Sequence, residues 1–400
     1  MQSCFSRVPH AGLALILGAL AGCASVPPQS PATPVDGTAP ATPGDATTPA
    51  PPPTAATAPP VAMQRARSRW LPVEWSALPG WADDRVLQAW PALRAGCGRP
   101  AVGWAELCAR VLLEAPPADD DAARRWLVRH LQPYRVESLD GAPDGLITGY
   151  YEPLVIASRQ PRGTFRVPLH SPPADLATRR PYWTRQQLDT QPAAMAALRG
   201  REVAWVADPL DVLVLQIQGS GRLRFIEADG SQRTVRLAYA GHNDQPYRSV
   251  GRWLIDQGEL TLDKASWPAI KAWAQRNPKR VQEMLWANPR VVFFREEPLP
   301  DPELGPRGAL GVALTPGRSI AVDPLSLPYG TPLWLDTTEP LSATPLRRLV
   351  LAQDTGSAIV GAVRADYFWG WGSEAEAQAG RMKQPLRMWA LWPLGAIKAP

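Results

Sequence analysis

Residues 353–370 read QDTGSAIVGAVRADYFWG, with two aspartates at the ends of apolar, β-like runs. These are Asp354 and Asp366, and upstream Asp323 closes a third run of the same kind. A carboxyl group at a strand end lies where a low-dielectric core meets solvent, so its pKa is easily raised there. Asp-Pro and Asp-Thr-Gly are also common turn sequences, however, and composition alone favours that interpretation.

The regions around this stretch alternate between two periodicities. Turn-bounded, β-like segments cover residues 146–151, 165–169, 203–206, 212–218, 223–227, 234–239, 291–295, 309–314, 319–322, 332–335, 348–353 and 388–392. Helical patterns cover residues 83–93, 104–113, 119–131, 249–257 and 266–288, and a short helix is expected within 374–383. The order predicts a mainly β (α+β) protein with peripheral helices, in which one β domain is inserted within or alongside a β-barrel domain.

The N-terminus has the pattern of an export signal. Arg7 precedes the apolar run 11–20, which is too short to span a bilayer core of about 30 Å. The tetrapeptide Leu20-Ala21-Gly22-Cys23 resembles the bacterial lipobox, whose cysteine is lipidated. Residues 1–22 are therefore predicted to be a lipoprotein signal peptide, with a plain secretory signal as the alternative. Because Ala24 follows, the resemblance implies a lipid anchor on the periplasmic face of the outer membrane.

Residues 23–66 are predicted to be the lipidated Cys23 and a linker. From residue 24 the segment is rich in proline, alanine and threonine and has no aromatic residue, so it cannot bury a core. At about 3 Å per residue, such a tether reaches on the order of 100 Å. The remainder of the chain is long enough for two packed domains.

Composition excludes a disordered protein for the body of the chain, because 45% of the 400 residues are hydrophobic and 17 are tryptophans. The formal net charge is +5. No run of five basic residues and no nucleic-acid motif occurs, so no nucleic-acid partner is predicted. The mild positive charge equally suits an acidic polymer.

Two of the four cysteines, Cys97 and Cys108, remain after the signal and the lipidation site are set aside. They lie eleven positions apart in what would be an oxidising compartment. A disulfide and a pair of buried free thiols both remain open.

Four further motifs accompany the three aspartates. They are Gly149-Tyr150-Tyr151-Glu152-Pro153, Leu215-Gln216-Ile217-Gln218-Gly219-Ser220-Gly221, Tyr239-Ala240-Gly241-His242-Asn243 and Pro246-Tyr247-Arg248-Ser249-Val250-Gly251. Together with the aspartates, which look like the three-aspartate module of a double-psi β-barrel, they resemble the membrane-bound lytic murein transglycosylase A family. The resemblance implies a double-psi β-barrel catalytic domain at 67–145 and 243–400, with an inserted β domain at 146–242.

The resemblance also implies an activity, that of a peptidoglycan lytic exotransglycosylase. Such a lyase cleaves the β-1,4 bond between N-acetylmuramic acid and N-acetylglucosamine, and the muramic acid's own 6-hydroxyl forms a 1,6-anhydro ring. Asp366 matches the family's acid/base, while Asp354 and Asp323 would position or polarise it and line the cleft. Ordinary glycosidases need two carboxyl groups. Here the nucleophile is intramolecular and its effective concentration is high, so one acid should suffice.

Six further residues are predicted to bind substrate. Gln216 and Gln218 would alternate onto one face of a strand and reach sugar hydroxyls, although outward polar residues on a half-exposed strand are the alternative. Tyr150 and Tyr151 would point to opposite faces, so we expect one to stack on a sugar and the other to join the core. The remaining candidates are Ser220, Asn243 and Trp369, and Trp371 is the other tryptophan expected near the substrate because it also lies beside Asp366 in the sequence.

No metal or cofactor is predicted, because His130, His170 and His242 lack ligand spacing. The predicted partners are peptidoglycan glycan strands, the outer membrane through the anchor, and cell-wall synthase or hydrolase complexes. Two rival hypotheses stay open. One is a hydrolase that uses Asp366, a second carboxylate and water, and leaves hydrated reducing ends. The other is a lipoprotein that binds peptidoglycan without cutting it.

Overall fold

The computed structural model of the chain describes residues 61–227 and 229–395. The predicted signal peptide, the lipidation site Cys23 and the linker up to residue 60 lie outside the described residues. Met63–Gln64, at the end of the predicted linker, forms a short strand that pairs with Arg69 and Trp70. The folded body therefore begins at residue 63 and not at the predicted residue 67, because Met63 and Gln64 pair with strand residues of the body.

Strands and helices follow the alternation of the sequence periodicities. The strands are β1 (Met63–Gln64), β2 (Arg69–Pro72), β3 (Leu131–Glu137), β4 (Gly145–Glu152), β5 (Leu154–Ala157), β6 (Val167–His170), β7 (Glu202–Val206), β8 (Gly221–Ile226), β9 (Gln232–His242), β10 (Val292–Glu297), β11 (Ser319–Val322), β12 (Pro332–Thr338), β13 (Pro345–Asp354), β14 (Arg364–Trp371) and β15 (Lys383–Pro393). The helices are α1 (Trp90–Cys97), α2 (Ala105–Leu113), α3 (Asp120–His130), α4 (Arg185–Thr190), α5 (Pro192–Leu198), α6 (Pro209–Gln218), α7 (Val250–Asp256), α8 (Trp267–Arg276), α9 (Val281–Trp286) and α10 (Gly372–Ala379).

The largest sheet has nine strands in the order β1-β2-β3-β15-β12-β13-β11-β14-β4. Because β4 also pairs with β15, the six strands from β15 to β4 close into a barrel. The β11–β13 and β14–β4 pairs are parallel, and the long strand β15 closes the barrel on β4 and β12 in antiparallel pairs. Trp70, Trp104 and Trp334 are fully buried in its core. The predicted mainly β fold with a double-psi barrel, an inserted β domain and peripheral helices is confirmed.

A second sheet, β10-β9-β8-β5, and the hairpin β6–β7 form the inserted domain. The inserted domain differs in extent from the predicted 146–242. Strand β4 belongs to the barrel, whereas β10 pairs with β9 of the second sheet. Helices α7, α8 and α9 also pack their apolar faces on α6 of the inserted domain. Such pairings join segments far apart in the chain, and local periodicity does not contain them.

Residues 212–218, predicted to be a strand, form the C-terminal part of helix α6. The Asp208 side chain accepts a hydrogen bond from the Leu210 amide at 2.8 Å, and Pro209 occupies the first helical position. Both are helix-start signals. The helix ends at Gly219, whose φ of 80° is the left-handed conformation that glycine favours. The predicted strand was therefore wrong.

Most of the other predicted elements are confirmed. Helix α3 begins where Asp119 accepts a hydrogen bond from the Ala122 amide at 2.7 Å. The helix expected within 374–383 is α10. Residues 309–314, by contrast, form turns with a single isolated bridge at Ala313, so the strand predicted there was wrong.

Cys97 and Cys108 form a disulfide that joins α1 to the neighbouring helix α2. The sequence left open a disulfide and a pair of free thiols, and the structure has the disulfide. Within residues 61–227 and 229–395, no helix is long and apolar enough to cross a membrane.

Candidate active site

A row of four residues crosses neighbouring barrel strands. Thr148 of β4 is in register with Asp366 of β14, Asp366 with Ala321 of β11, and Ala321 with Asp354 of β13. Residues in register on adjacent strands point to the same face of a sheet. The two aspartates are two strand spacings apart, roughly 10 Å between Cα atoms. The small Ala321 side chain between them leaves space over the sheet.

Asp366 is a partly buried carboxyl group on this face. Its neighbours form an apolar cluster that includes Tyr150, Ala321 and Phe368. Burial raises its pKa to about 6 from the ordinary value, and the negative charge of Asp354 acts in the same direction. The hydrogen bond from Thr148 and the charge of Arg364 act against the rise. Near neutral pH this group can therefore both hold and release a proton.

Thr148 and Arg364 fix the orientation of Asp366. The Thr148 hydroxyl donates to Asp366 Oδ1 at 2.6 Å and accepts from Arg364 Nη2 at 2.9 Å. Since Thr148 already donates to Oδ1, the acidic proton of a neutral Asp366 belongs on Oδ2. The arrangement therefore defines which oxygen can serve as a proton donor.

Asp354 is held by different donors. The Tyr150 hydroxyl donates to Asp354 Oδ2 at 3.0 Å, and the Ala309 amide donates to Oδ1 at 2.9 Å. Burial raises the pKa of Asp354, while these hydrogen bonds oppose the rise. The Tyr150 ring packs on Phe368 with centroids 5.2 Å apart. Tyr150 thus serves the site through Asp354, whereas Tyr151 is buried against Val214 on another face.

Asp323 is occupied by structural contacts. Its Oδ2 accepts from Arg67 Nη1 at 2.9 Å and from the Gly361 amide at 2.8 Å, and its Oδ1 accepts from the Leu325 amide at 3.0 Å. Its side chain is 4% exposed. These contacts occupy both carboxylate oxygens of Asp323 and tie together the loops beside the row of Asp366 and Asp354.

A buried ion cluster joins the barrel to the inserted domain, and the sequence did not single it out. Glu152 at the end of β4 is fully buried and pairs with Arg222 at 2.7 Å and Arg236 at 2.9 Å. The Arg222 guanidinium also lies 4.1 Å from the ring centroid of Trp371. The signal available in the sequence was the Gly-Tyr-Tyr-Glu-Pro motif itself, whose glutamate alternates to the face opposite Tyr151.

The structure places Trp369 away from Asp366. Its ring packs on Tyr367 with centroids 4.9 Å apart, and its Nε1 lies 3.4 Å from Met382 Sδ. Trp369 is three residues after Asp366, so strand alternation places it on the opposite face, and the register shift after Phe368 changes the face of the residues that follow. Trp371, and not Trp369, packs beside the apolar cluster of Asp366. Trp369 therefore does not take the expected position beside Asp366.

The two glutamines lie on a helix, so they do not share a strand face. Gln216 Oε1 accepts from Arg185 Nη2 at 2.6 Å, and Gln218 Oε1 accepts from the Tyr151 amide at 3.0 Å. Gln218 therefore lies against β4 and Gln216 inside the inserted domain. Their predicted position on a cleft floor is corrected for this reason.

Ser220 and Asn243, the two other candidates for substrate binding, lie in different parts of the inserted domain. Ser220 follows the glycine that ends α6, in a turn before β8. Asn243 is fully buried, and its side chain donates to the Trp183 and Pro289 carbonyls at 2.9 and 2.8 Å. It also accepts from the Val291 amide at 2.9 Å. Asn243 therefore holds loops of the inserted domain together.

Over the described ranges 61–227 and 229–395, no three His, Cys, Asp or Glu side chains group as metal ligands. The chemistry that these residues offer is proton transfer. A carboxyl group with a pKa of about 6 can act as general acid and then as general base on one substrate.

Comparison with known proteins agrees with this reading. A family model described as the MltA specific insert domain matches residues 146–295, and a 3D domain model matches residues 318–392. The membrane-bound lytic murein transglycosylase A of Vibrio cholerae is 32% identical over 255 residues. That alignment covers 62% of this chain and 65% of the relative, just under two thirds of its length.

Solved structures match over nearly their whole length. The lytic transglycosylase LtgG of Burkholderia pseudomallei is 47% identical, with a TM-score of 0.56, over 84% of this chain and 98% of that chain. MltA from Neisseria gonorrhoeae is 31% identical, with a TM-score of 0.69, over 84% and 97%. Escherichia coli MltA with bound chitohexaose is 25% identical, with a TM-score of 0.64, over 84% and 95%.

The closed barrel with an inserted β domain is the fold that this chain shares with these solved lytic transglycosylase structures. The chain belongs to the membrane-bound lytic murein transglycosylase A family.

Proposed function

We propose that this chain cleaves the β-1,4 bond between N-acetylmuramic acid and N-acetylglucosamine in peptidoglycan strands, without water, and leaves 1,6-anhydromuramoyl ends. The observation that carries the proposal is the environment of Asp366. Its pKa of about 6 and its single oriented oxygen suit one group that serves as acid and then as base. Family membership and the sugar bound to the E. coli relative support a glycan substrate.

In the first step, neutral Asp366 donates its Oδ2 proton to the glycosidic oxygen, and the bond from the muramic acid C1 to that oxygen breaks. The Asp366 carboxylate then accepts the proton of the 6-hydroxyl, whose oxygen bonds to C1. The proton count returns to its starting value and no water is consumed. The 6-hydroxyl belongs to the reacting sugar, so a second catalytic carboxylate is not required.

Asp354 is proposed to polarise the site. Its negative charge raises the pKa of Asp366 and would stabilise positive charge that develops on the sugar in the transition state. Tyr150 holds it there by the hydrogen bond to Oδ2. Asp323 is proposed to act as a positioning residue through Arg67 and Gly361. Trp371 and Ser220 are proposed to contact the glycan.

A second candidate is a hydrolase that uses both carboxyl groups. The spacing of Asp366 and Asp354, two strands apart, supports it, because inverting glycosidases keep about 6.5–9.5 Å between carboxyl groups to admit water. The two reactions differ in the oxygen atom that bonds to C1 of the muramic acid. It comes from the 6-hydroxyl in the lytic reaction and from water in hydrolysis, so labelled water distinguishes them.

The chain is further proposed to be anchored to the periplasmic face of the outer membrane by a lipid on Cys23. The lipobox-like tetrapeptide 20–23 and Ala24 support this, and the relatives' printed name is membrane-bound. The proline-rich segment that follows is long enough to carry the enzyme to its substrate.

The proposed reaction is tested on purified sacculi in ¹⁸O-labelled water, with the purified full chain and mass spectrometry of the released fragments. The proposal predicts fragments lighter by one water than reducing-end fragments and free of ¹⁸O. Fragments that carry one ¹⁸O at the muramic acid end would establish the hydrolase instead. No fragments from folded protein would refute both cleavage reactions and favour a lipoprotein that binds peptidoglycan without cutting it.

A further inference from the structure

The inserted domain contains a cavity of about 370 Å³ that is separate from the row of Asp366. It lies where three apolar clusters of this domain meet, between β6, α4, α6 and α9. Its volume lies within the range of about 300–1,000 Å³ that is typical of small-molecule sites. The walls combine apolar side chains with polar and charged groups, which include Arg185, Asp189 and His170.

The floor of this cavity carries one buried cation, Arg185. Its Nε donates to the Asn288 carbonyl at 3.0 Å, and its Nη2 donates to the Arg290 carbonyl and to Gln216 Oε1, both at 2.6 Å. All these acceptors are neutral. Within the described part of the chain no carboxylate lies within 4.0 Å of Arg185. Burial lowers its pKa to about 10, so the group stays charged at neutral pH.

The mouth of the cavity carries an anion, Asp189. Its Oδ2 accepts from Gln282 Nε2 at 2.9 Å and from Trp286 Nε1 at 2.8 Å, so both donors are neutral. No lysine, arginine or histidine nitrogen of residues 61–227 and 229–395 lies within 4.0 Å of it. His170 also lines the cavity, and burial lowers its pKa, so it remains neutral at neutral pH.

Arg185 and Asp189 are four residues apart on α4, where side chains are neighbours at about 5–6 Å between Cβ atoms. They nevertheless form no ion pair, because Arg185 is directed inward by the carbonyls of Asn288 and Arg290. Arg185 is buried and Asp189 is exposed, and each charge acts on the other without direct contact. A ligand that carries an anion at one end and a cation at the other would give each of them an opposite charge in direct contact.

We propose that this cavity is a binding site for a zwitterionic, dipeptide-sized ligand with small aliphatic side chains. Its carboxylate would lie on Arg185 and its ammonium group on Asp189. Buried Leu188, Leu198 and Val291 would contact the aliphatic side chains. The site makes no use of Asp366, so the inference goes beyond the proposed glycan cleavage and does not depend on it.

The test is calorimetric titration of the purified full chain with L-alanyl-L-alanine, its N-acetyl derivative and its C-terminal amide. Each derivative removes one charge and keeps the aliphatic side chains. Saturable binding of the dipeptide, with each derivative bound at least tenfold more weakly, is the expected result. No binding up to millimolar concentration, or equal binding of all three, would overturn the proposal.

The variant Asp189→Asn removes the anion at the mouth and keeps an oxygen that can accept from Gln282 and Trp286. It should weaken the dipeptide at least tenfold and leave the N-acetyl derivative unchanged, since that derivative has no ammonium group. Asp263→Asn, an exposed aspartate that does not line the cavity, is the matched control and should bind like the parent. Unchanged dipeptide binding by Asp189→Asn would refute the assignment. Because no glycan is present, failure here leaves the proposed lytic reaction untouched.

Discussion

The Thr148 hydroxyl donates to Asp366 Oδ1 at 2.6 Å across two parallel strands of the barrel, from a position 218 residues earlier in the chain. The same hydroxyl accepts from Arg364 at 2.9 Å. This contact stabilises the carboxylate form of Asp366 and leaves Oδ2 as the oxygen that carries the proton. It therefore affects both the pKa of the proposed catalytic acid and its orientation.

Thr148→Val removes this donor and keeps the shape of the side chain. The hydrogen bond lowers the pKa of Asp366, so its loss should move the alkaline limb of the kcat/KM profile to higher pH. The loss of orientation should lower kcat about tenfold. Thr148→Ser retains the hydroxyl and should keep the parental profile. An alkaline limb that stays in place or moves to lower pH would refute this role.

Tyr150→Phe should move the same limb in the opposite direction. The Tyr150 hydroxyl stabilises the Asp354 carboxylate, and the charge of Asp354 raises the pKa of Asp366. Without the hydroxyl, Asp354 holds its proton to higher pH and carries less negative charge. The pKa of Asp366 therefore falls, and the alkaline limb moves to lower pH. The kcat/KM profile measured beside that of Thr148→Val checks this. Shifts of equal sign in the two variants would contradict the proposed division of roles.

Asp366→Asn should stabilise the folded protein at pH 7.5 and not at pH 4. The folded-state pKa of Asp366, about 6, lies above the ordinary value of 3.8. Between these values the folded state binds the proton that the unfolded state has released, so stability falls as pH rises through this window. The asparagine avoids this cost, which is at most roughly 2–3 kcal/mol for two pKa units. Urea unfolding of both proteins at the two pH values measures it, and an equal difference at both would contradict the assignment.

Glu152→Gln should destabilise the protein strongly. The Glu152 side chain is fully buried between Arg222 and Arg236, which are 7% and 9% exposed. Removing the carboxylate leaves two buried guanidinium groups, and breaking such a pair costs about 3–5 kcal/mol. The urea midpoint measures the loss. Glu303→Gln, at an exposed glutamate, is the control and should match the parent. A midpoint near that of the control would show that the cluster does not hold the domains.

Local periodicity was sufficient to predict most elements, because helix and strand patterns depend on nearby residues, whereas the role of the aspartates was predicted only from the family resemblance. It misassigned residues 212–218, since the run VLVLQIQ is rich in β-branched and apolar residues that suit a strand. The competing signal was Asp208 followed by Pro209, an N-cap and a first helical residue. Tertiary packing on two sides of α6 explains its unbroken apolar face.

The residues that hydrogen-bond to Asp366 and Asp354 could not be predicted from local periodicity. The contacts Thr148–Asp366 and Tyr150–Asp354 join residues more than 200 positions apart, and only the closed barrel brings them together. Strand alternation already places Trp369, three residues after Asp366, on the opposite face, where it packs on Tyr367. The irregularity after Phe368, which Gly370 with φ of 99° permits, brings Trp371 to the cluster of Asp366 instead.

The most direct test of the central claim compares Asp366→Asn with Asp354→Asn in the release of anhydromuramoyl fragments from sacculi. If Asp366 is the single acid/base, its asparagine variant should lose about 10³-fold in rate while remaining folded. Asp354→Asn, which alters only the polarising charge, should release the same anhydro fragments about tenfold more slowly. Anhydro fragments released by Asp366→Asn at close to the parental rate would contradict the account.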